Sequence, residues 1–509
     1  TGDDNTAIGQ EALFTATTAS DNTAVGFQAL YSNSSGASNA AMGHNALFNN
    51  TTAANNTAVG FSALGANTTG AGNTAVGAIA LDRITTSSNN TAVGHEALTN
   101  MTGGAGNTAL GKGAMTAVVT GSNNTAVGYT ALSANTTASN NVAVGMGALV
   151  ANTTGATNTA VGQNALFSNT TASNNVGIGH SALEANTTGT RNTSVGQNSA
   201  KAITTVSDNT YVGHGSGAAN TSGDHNTGIG SAAMDELTTG ANNTALGSKA
   251  LSGVVTGSFN TALGFNAMNV STSAQKTVSV GKDSGKSVTT ALENTLIGCE
   301  AGKNITTAPD NVVIGFQAGA HDIDLITGNQ NVIIGDYSDT SATDSANQIV
   351  LGYNVTSTGN ANLTFGNNAV DSNIAFGATE ITAPSDVRLK EDIQDEKVGL
   401  DFINDLRPVT FLWKKEKDIP SNMKAHKADS EERTMNGKHN HGFIAQEVKE
   451  VIDNHNLKEG FGMWQEDEVD GRQRLGEGAL MSVMVKAVQE LSAEIEKLKT
   501  QPKCKCNEE

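Results

Sequence analysis

The sequence predicts an all-β parallel solenoid followed by a small α+β domain that ends in a coiled-coil helix. Three observations carry this expectation. Asn-Thr-Ala-Val-Gly, or a close variant, recurs at a fixed spacing of 17 residues. Composition breaks near residue 384, with 9 basic and 22 acidic residues in 1–384 against 20 basic and 26 acidic in 385–509. Near the C-terminus, Met481, Met484, Val488, Leu491, Ile495 and Leu498 alternate by three and four, the spacing of a coiled-coil seam.

The repeat begins at Asn5 and keeps one phase through Asn311, changing chemically but not in register at Thr277, which makes 19 units without an insertion. Further units begin at Asn331, Gln348, Asn362 and Asn373, at intervals of 20, 17, 14 and 11. In each kernel the second and fourth residues, Thr or Val and then Val, Ile or Leu, read as the inward face of a short strand. A second apolar anchor, usually Leu, follows four residues after the Gly, as at Leu30, Leu47, Leu64, Leu81, Leu98, Leu132, Leu149 and Leu166. The remainder is Asn, Thr, Ser and Gly, which is turn material. A unit this small cannot bury its own apolar face, so units stack along an axis. At about 4.8 Å per strand, twenty-three turns would span roughly 110 Å. Each turn buries so little that three chains are expected side by side with their Val/Leu faces shared. The regular stalk is assigned to 1–330 and irregular terminal repeats to 331–384, where Tyr337, Tyr353, Phe365 and Phe376 are candidate receptor contacts at the tip.

Charge and composition exclude several functions. Both parts are acidic, which disfavours binding to nucleic acid or anionic membrane. No apolar stretch reaches transmembrane length. Three cysteines, Cys299, Cys504 and Cys506, make no disulfide framework. No metal and no cofactor are expected. The Asn-x-Thr triplets are explained by the repeat itself rather than by glycosylation. An exposed Thr ladder of the ice-binding kind is not expected, because the kernel Thr is read as inward. Paired carboxylates for polysaccharide cleavage are not indicated, since Glu11, Asp82, Glu96 and Glu184 are scattered among turns. The chain opens at Thr1 inside a repeat, so an upstream attachment region is expected.

After Ala383-Pro384 the chain reads Ser385-Asp386-Val387-Arg388-Leu389-Lys390. Leu400 to Lys414 reads as a short helix, a Pro turn and a strand, and His441 to Val448 as a strand entering a helix. The coiled coil is placed at about 476–500, with Glu490, Glu494, Glu496, Lys497 and Lys499 on its wet faces. Lys414 to Lys438 reads as a long charged extension. His439 and His441 lack a third metal ligand nearby, and His426 and His455 are expected in solvent.

The stalk pattern resembles the head repeats of trimeric autotransporter adhesins and the stalk repeats of phage fibres. The Ser-Asp-x-Arg-Leu-Lys opening, the Leu-x-Pro-Val-x-Phe-x-Trp core, the Gly-Phe-Ile-Ala-Gln-Glu-Val segment and the terminal helix, in that order, resemble the intramolecular chaperone domain of the endosialidase tailspike type. That resemblance covers 385–509. It implies a homotrimer, templated folding of the upstream β-structure, and release by self-cleavage between Pro384 and Ser385. A Ser hydroxyl needs a base, and a Lys serves when its ammonium is stripped of water or set beside a cation. The resemblance thus assigns Ser385 as nucleophile and Lys390 as base, with Arg388 and Asp386 in support.

The functional expectation is a trimeric tail fibre or spike of a virion, attaching to a host surface receptor, assembled in the host cytoplasm and joined to upstream tail proteins. A bacterial trimeric surface adhesin with the same chaperone is the alternative, and a polysaccharide depolymerase spike comes third. A chaperone also has a physical rationale. Three nearly periodic chains must select one register among many of similar energy, and a seed at one end fixes it.

Overall fold

The computed structural model describes residues 2–253, 256–368, 370–378, 381, 387, 390–421, 423, 425–435, 437–457, 461–466 and 471–501. The chain forms two compact units, Thr1–Pro384 and Ser385–Glu509. In the first, strands β1 (Thr6–Ile8) to β20 (Val332–Ile334), then β21 (Gln348–Tyr353) and β22 (Asn362–Asn367), pair parallel, each with its neighbour in sequence. The register is one repeat per turn, as in Thr159↔Val176 and Val161↔Ile178. This is the expected parallel solenoid.

The turn that starts at Asn158 shows how the repeat folds. Asn158 and Ala160 point inward and are fully buried, while Thr159 and Val161 are only half-buried. The inward face is therefore the first and third kernel positions, which corrects the reading of the second and fourth as core. Two properties of the interior explain the inversion. Buried Leu166 and Ala165 from the opposite wall leave room for a methyl group at Ala160 but not for a second branched side chain. The Asn amide also supplies hydrogen bonds that Val cannot. Asn158 Oδ1 accepts the Asn175 N–H of the next turn at 2.9 Å, and its Nδ2 donates to the Ala172 carbonyl at 2.8 Å. Thr and Val consequently form outward columns, so a Thr ladder does face away from the core.

A second buried Asn column runs along the other wall. Asn169 Nδ2 donates to Asn152 Oδ1 at 2.9 Å and to the Ala172 carbonyl at 3.0 Å. This column stops where apolar residues replace Asn. Asn67 and Asn186 are each followed one turn later by Ile, at Ile84 and Ile203, and their Oδ1 atoms have no partner. All eight predicted Leu anchors are fully buried. They sit with positive φ, 52° at Leu166, which costs a branched residue roughly 1–2 kcal/mol and persists only because packing on every side enforces it. The kernel Gly is required by close approach. At Gly162 (φ 134°) an added Cβ would lie 2.5 Å from the Gly179 carbonyl oxygen.

One turn is built differently. Tyr211 occupies the column that in most turns holds Ala, fully buried, with its hydroxyl accepting from Asn220 Nδ2 at 3.0 Å. Burial holds its phenol far above the usual range. The ring fits because Gly217 replaces the Leu anchor and Gly228 replaces the next Ala. A Cβ at Gly217 would lie 2.4 Å from the ring, and one at Gly228 2.8 Å. The same exchange of volume recurs where Leu296 packs against Gly285 and Gly302.

The parallel stack ends at β22, because β23 (Val370–Ala375) returns antiparallel to it, with Thr364 opposite Asn373. The unit read from Asn373 is thus the return arm of a hairpin and not a further turn, which corrects the count of twenty-three. An 11-residue interval is too short for a circuit that elsewhere takes 14 to 20 residues.

Among the described residues, the second unit holds three α-helices, α1 (Leu400–Asp405), α2 (Ala445–Asn454) and α3 (Leu480–Thr500), and two small antiparallel strand pairs. The pairs are β24 (Val409–Phe411) with β25 (Asn440–Gly442), and β26 (Trp464–Glu466) with β27 (Gln473–Leu475). Its core is Phe402, Leu406, Val448, Ile452, Met463, Leu480 and Val483. Among the described residues no helix is long and apolar enough to cross a membrane.

The Asn column is expected to dominate local stability. Asn158→Ala orphans the buried Asn175 N–H, at a cost of about 1–3 kcal/mol, and leaves the Ala172 carbonyl with Asn169 as its remaining side-chain donor. Hydrogen exchange should show lost protection in the turns on either side, while Thr159→Ala leaves them unchanged. Equal protection in the two variants would rule out the ladder as the main restraint.

Candidate functional site

Of the residues assigned to self-cleavage, Pro384, Ser385, Asp386 and Arg388 lie outside the described residues, as do Cys504 and Cys506. Lys390 is described. It is solvent-exposed, and its backbone N–H donates to the Val387 carbonyl at 3.2 Å.

The helix α3 carries two apolar faces. Leu480, Val483 and Ala487 are buried on the domain side. The six seam residues, Met481, Met484, Val488, Leu491, Ile495 and Leu498, are 44–66% exposed. A helix that has already buried one face and presents a second, unbroken apolar row has the form of an oligomerisation helix. Glu490 departs from the expected wet face. Its Oε2 accepts the Leu400 N–H at 2.8 Å, at the start of α1, and a Cβ at Gly399 would lie 2.3 Å from the same oxygen. The seam helix is thereby tied to the start of the domain, ninety residues earlier.

Other expectations in this unit are revised by their partners. His455 Nε2 lies 2.8 Å from Asp405 Oδ2 and its ring meets Phe402 edge-on at 5.3 Å, while His426 Nδ1 lies 2.8 Å from the Ile419 carbonyl. Neither is the solvated residue expected. His439 and His441 are exposed. The extension 414–438 doubles back, with an antiparallel bridge between Lys415 and Arg433. Lys415 and Lys417 both pair with Glu431, and Lys427 pairs with Glu416 at 2.9 Å.

In the first unit, Tyr337 and Tyr353 come together, with Phe316 and His321 beside them. Phe316 meets Tyr337 at 5.2 Å and 84°, Tyr337 meets Tyr353 at 5.9 Å and 89°, and His321 meets Tyr337 at 4.7 Å. Phe316 and His321 were not foreseen, because they belong to the preceding turn. Phe365 falls elsewhere, opposite Leu351 in the outward Val column, and Phe376 is exposed beyond β23. His321, Asp322 and Asp339 place ligand-type atoms within 4.8 Å of one another. Their geometry has a structural explanation. The Asp339 carboxylate accepts the N–H groups of His321, Asp322 and Ile323 at 3.2, 2.8 and 3.3 Å, holding the lengthened turn, and burial pushes its carboxyl above the usual range.

The extension is expected to loosen in acid. Hydrogen bonds from Lys415 and Lys417 pull Glu431 from 4.5 down to about 2. A depressed carboxylate contributes stability above its unfolded value and loses it as pH falls toward the folded one. Amide exchange across 414–434 should therefore accelerate between pH 4.5 and about 2, and Glu431→Gln should show the loosened state at neutral pH. Protection in the wild type unchanged across that window would refute the ion-pair clamp.

No curated protein and no solved structure matches the chain. Residues 385–457 match the family described as the chaperone of endosialidase, and the second unit therefore carries a chaperone domain of that type.

Proposed function

We propose that this chain is the subunit of a trimeric viral tail fibre or spike, whose C-terminal domain brings three copies together, guides the solenoid and then leaves by self-cleavage. The observation that carries this reading is the exposed apolar seam of α3 in a domain matched to the endosialidase chaperone family, which implies homotrimer assembly. Three copies of the seam supply one another with the burial each lacks. The stalk offers a second surface for the same purpose. From β1 to β22 no outward position in the Thr and Val columns carries a charge, so a continuous apolar strip runs the length of the stack. Three such strips meeting would realise the shared face expected of a thin core.

In the cleavage step, Ser385 Oγ attacks the Pro384 carbonyl carbon and Lys390 accepts the hydroxyl proton. The C–N bond breaks, the Ser385 nitrogen leaves protonated as an amine, and water hydrolyses the resulting ester. Lys390 is exposed within one chain, so the desolvation that keeps a lysine neutral and able to accept a proton comes from neighbouring copies in this reading. Coupling cleavage to assembly follows. Losing the seed afterwards removes the low-energy route for unfolding and leaves the fibre kinetically trapped. The freed end of the stalk, on a virion tail, would contact the host.

Mass spectrometry of the wild type beside Ser385→Ala and Lys390→Ala should yield a fragment beginning at Ser385 only from the wild type. A wild type that stays whole while trimeric would refute self-cleavage. Val488→Asp with Leu491→Asp is expected to abolish both trimerisation, by light scattering, and cleavage. A trimer that persists in this variant would remove the seam from its role as seed.

A further inference from the structure

We propose that the row Phe316, Tyr337 and Tyr353, with Asp322 and Asp336, binds a ligand carrying an alkylammonium group. The inference rests on the attachment reading above and names the chemistry its target would display. Two independent features point to it. The first is ring geometry. Successive rings stand at 84° and 89°, so each face lies beside its neighbour's edge and the row forms corners lined with π surface. Phe316 is 37% and Tyr353 53% exposed, so the corners open outward. A cation within about 6 Å of a ring face gains roughly 0.5–2 kcal/mol, and orthogonal rings let one ammonium meet two faces.

The second feature is acidic charge with no Lys or Arg in the segment to offset it. Between Lys303 and Arg388 there is no Lys or Arg, while nine acidic residues occur. Among the described residues the recorded cation–π pair is Lys449 over Trp464, in the other unit. Among the described residues no Lys or Arg therefore stands over these rings, and the titratable ring beside them is His321, 4.7 Å from Tyr337. Two of the acids are held beside them. Asp336 Oδ1 accepts the Phe316 N–H at 2.7 Å, and Asp322, whose N–H is anchored on Asp339 at 2.8 Å, is exposed with its carboxylate 3.4 Å from His321 Nδ1. Aromatic faces bordered by fixed carboxylates stabilise a soft cation by both quadrupole and charge. An anionic ligand would be repelled, and a neutral one would gain nothing from the acids.

Calorimetric titration of the full chain with choline chloride tests this, alongside glucosamine and the neutral tert-butyl isostere of choline. Saturable binding of choline, glucosamine or both, absent for the isostere and weakened about tenfold by Tyr353→Ala and by Asp336→Asn, is the expected result. Choline alone identifies a quaternary headgroup as the source, and glucosamine alone an amino sugar. Asp336→Asn keeps the acceptor for Phe316 and so tests charge even where Tyr353→Ala disturbs the turn. A glycan array separates the two levels of the argument. Tyr353-dependent binding only to neutral or acidic glycans would overturn the ammonium inference and leave attachment standing. No binding to any of these ligands would overturn the inference and count against attachment through this segment.

Discussion

The buried asparagine column is the interaction on which the first unit depends. A solenoid turn of 17 residues with three in a strand leaves many backbone groups inside a narrow wall, away from water. An Asn side chain such as Asn158 reaches one N–H of the next turn and the carbonyl fourteen residues on, and does so without the volume of an apolar residue. Ala beside it, Leu opposite and Gly after it follow from the same restriction. The polar composition that makes the sequence look like loop is thus the composition of its core.

Periodicity made the solenoid legible, because stacking in register gives every turn the same sequence. The Leu anchors were legible for the same reason. The strand faces were not. A two-residue period states which residues share a face but not which face is inward, and the habit of placing Val inside chose the wrong one. Deciding correctly needed the volume of the opposite wall, where Leu166 already fills the space across from Ala160. The aromatic row was half legible. Tyr337 and Tyr353 stand out by type, whereas Phe316 and His321 join them only through a lengthened turn whose path is set by Asp339. In the second unit the seam was visible as spacing, but the bond from Glu490 to Leu400 links positions that nothing local relates.

The two units handle apolar surface in opposite ways. The second unit has an ordinary core and sets a row of six exposed apolar residues along one helix. The stalk spreads its outward Val column over the whole stack, with little at any single level. A weak, long and uniform surface is a poor instrument for starting assembly and a good one for completing it, while a short concentrated seam is the reverse.

Tyr211 interrupts the uniformity with a bulk that only one neighbourhood accepts. Were a chain to skip a turn while winding, leaving one repeat looped out, identical units would stack almost as well as before. Across this level they would not. Skipping the turn above would bring Ala245, not Gly228, against the phenol ring, and the absent Cβ that makes room would be present. The tyrosine therefore works as an index mark. It marks one level of a nearly featureless coil, so a turn skipped next to it becomes a misfit at that place.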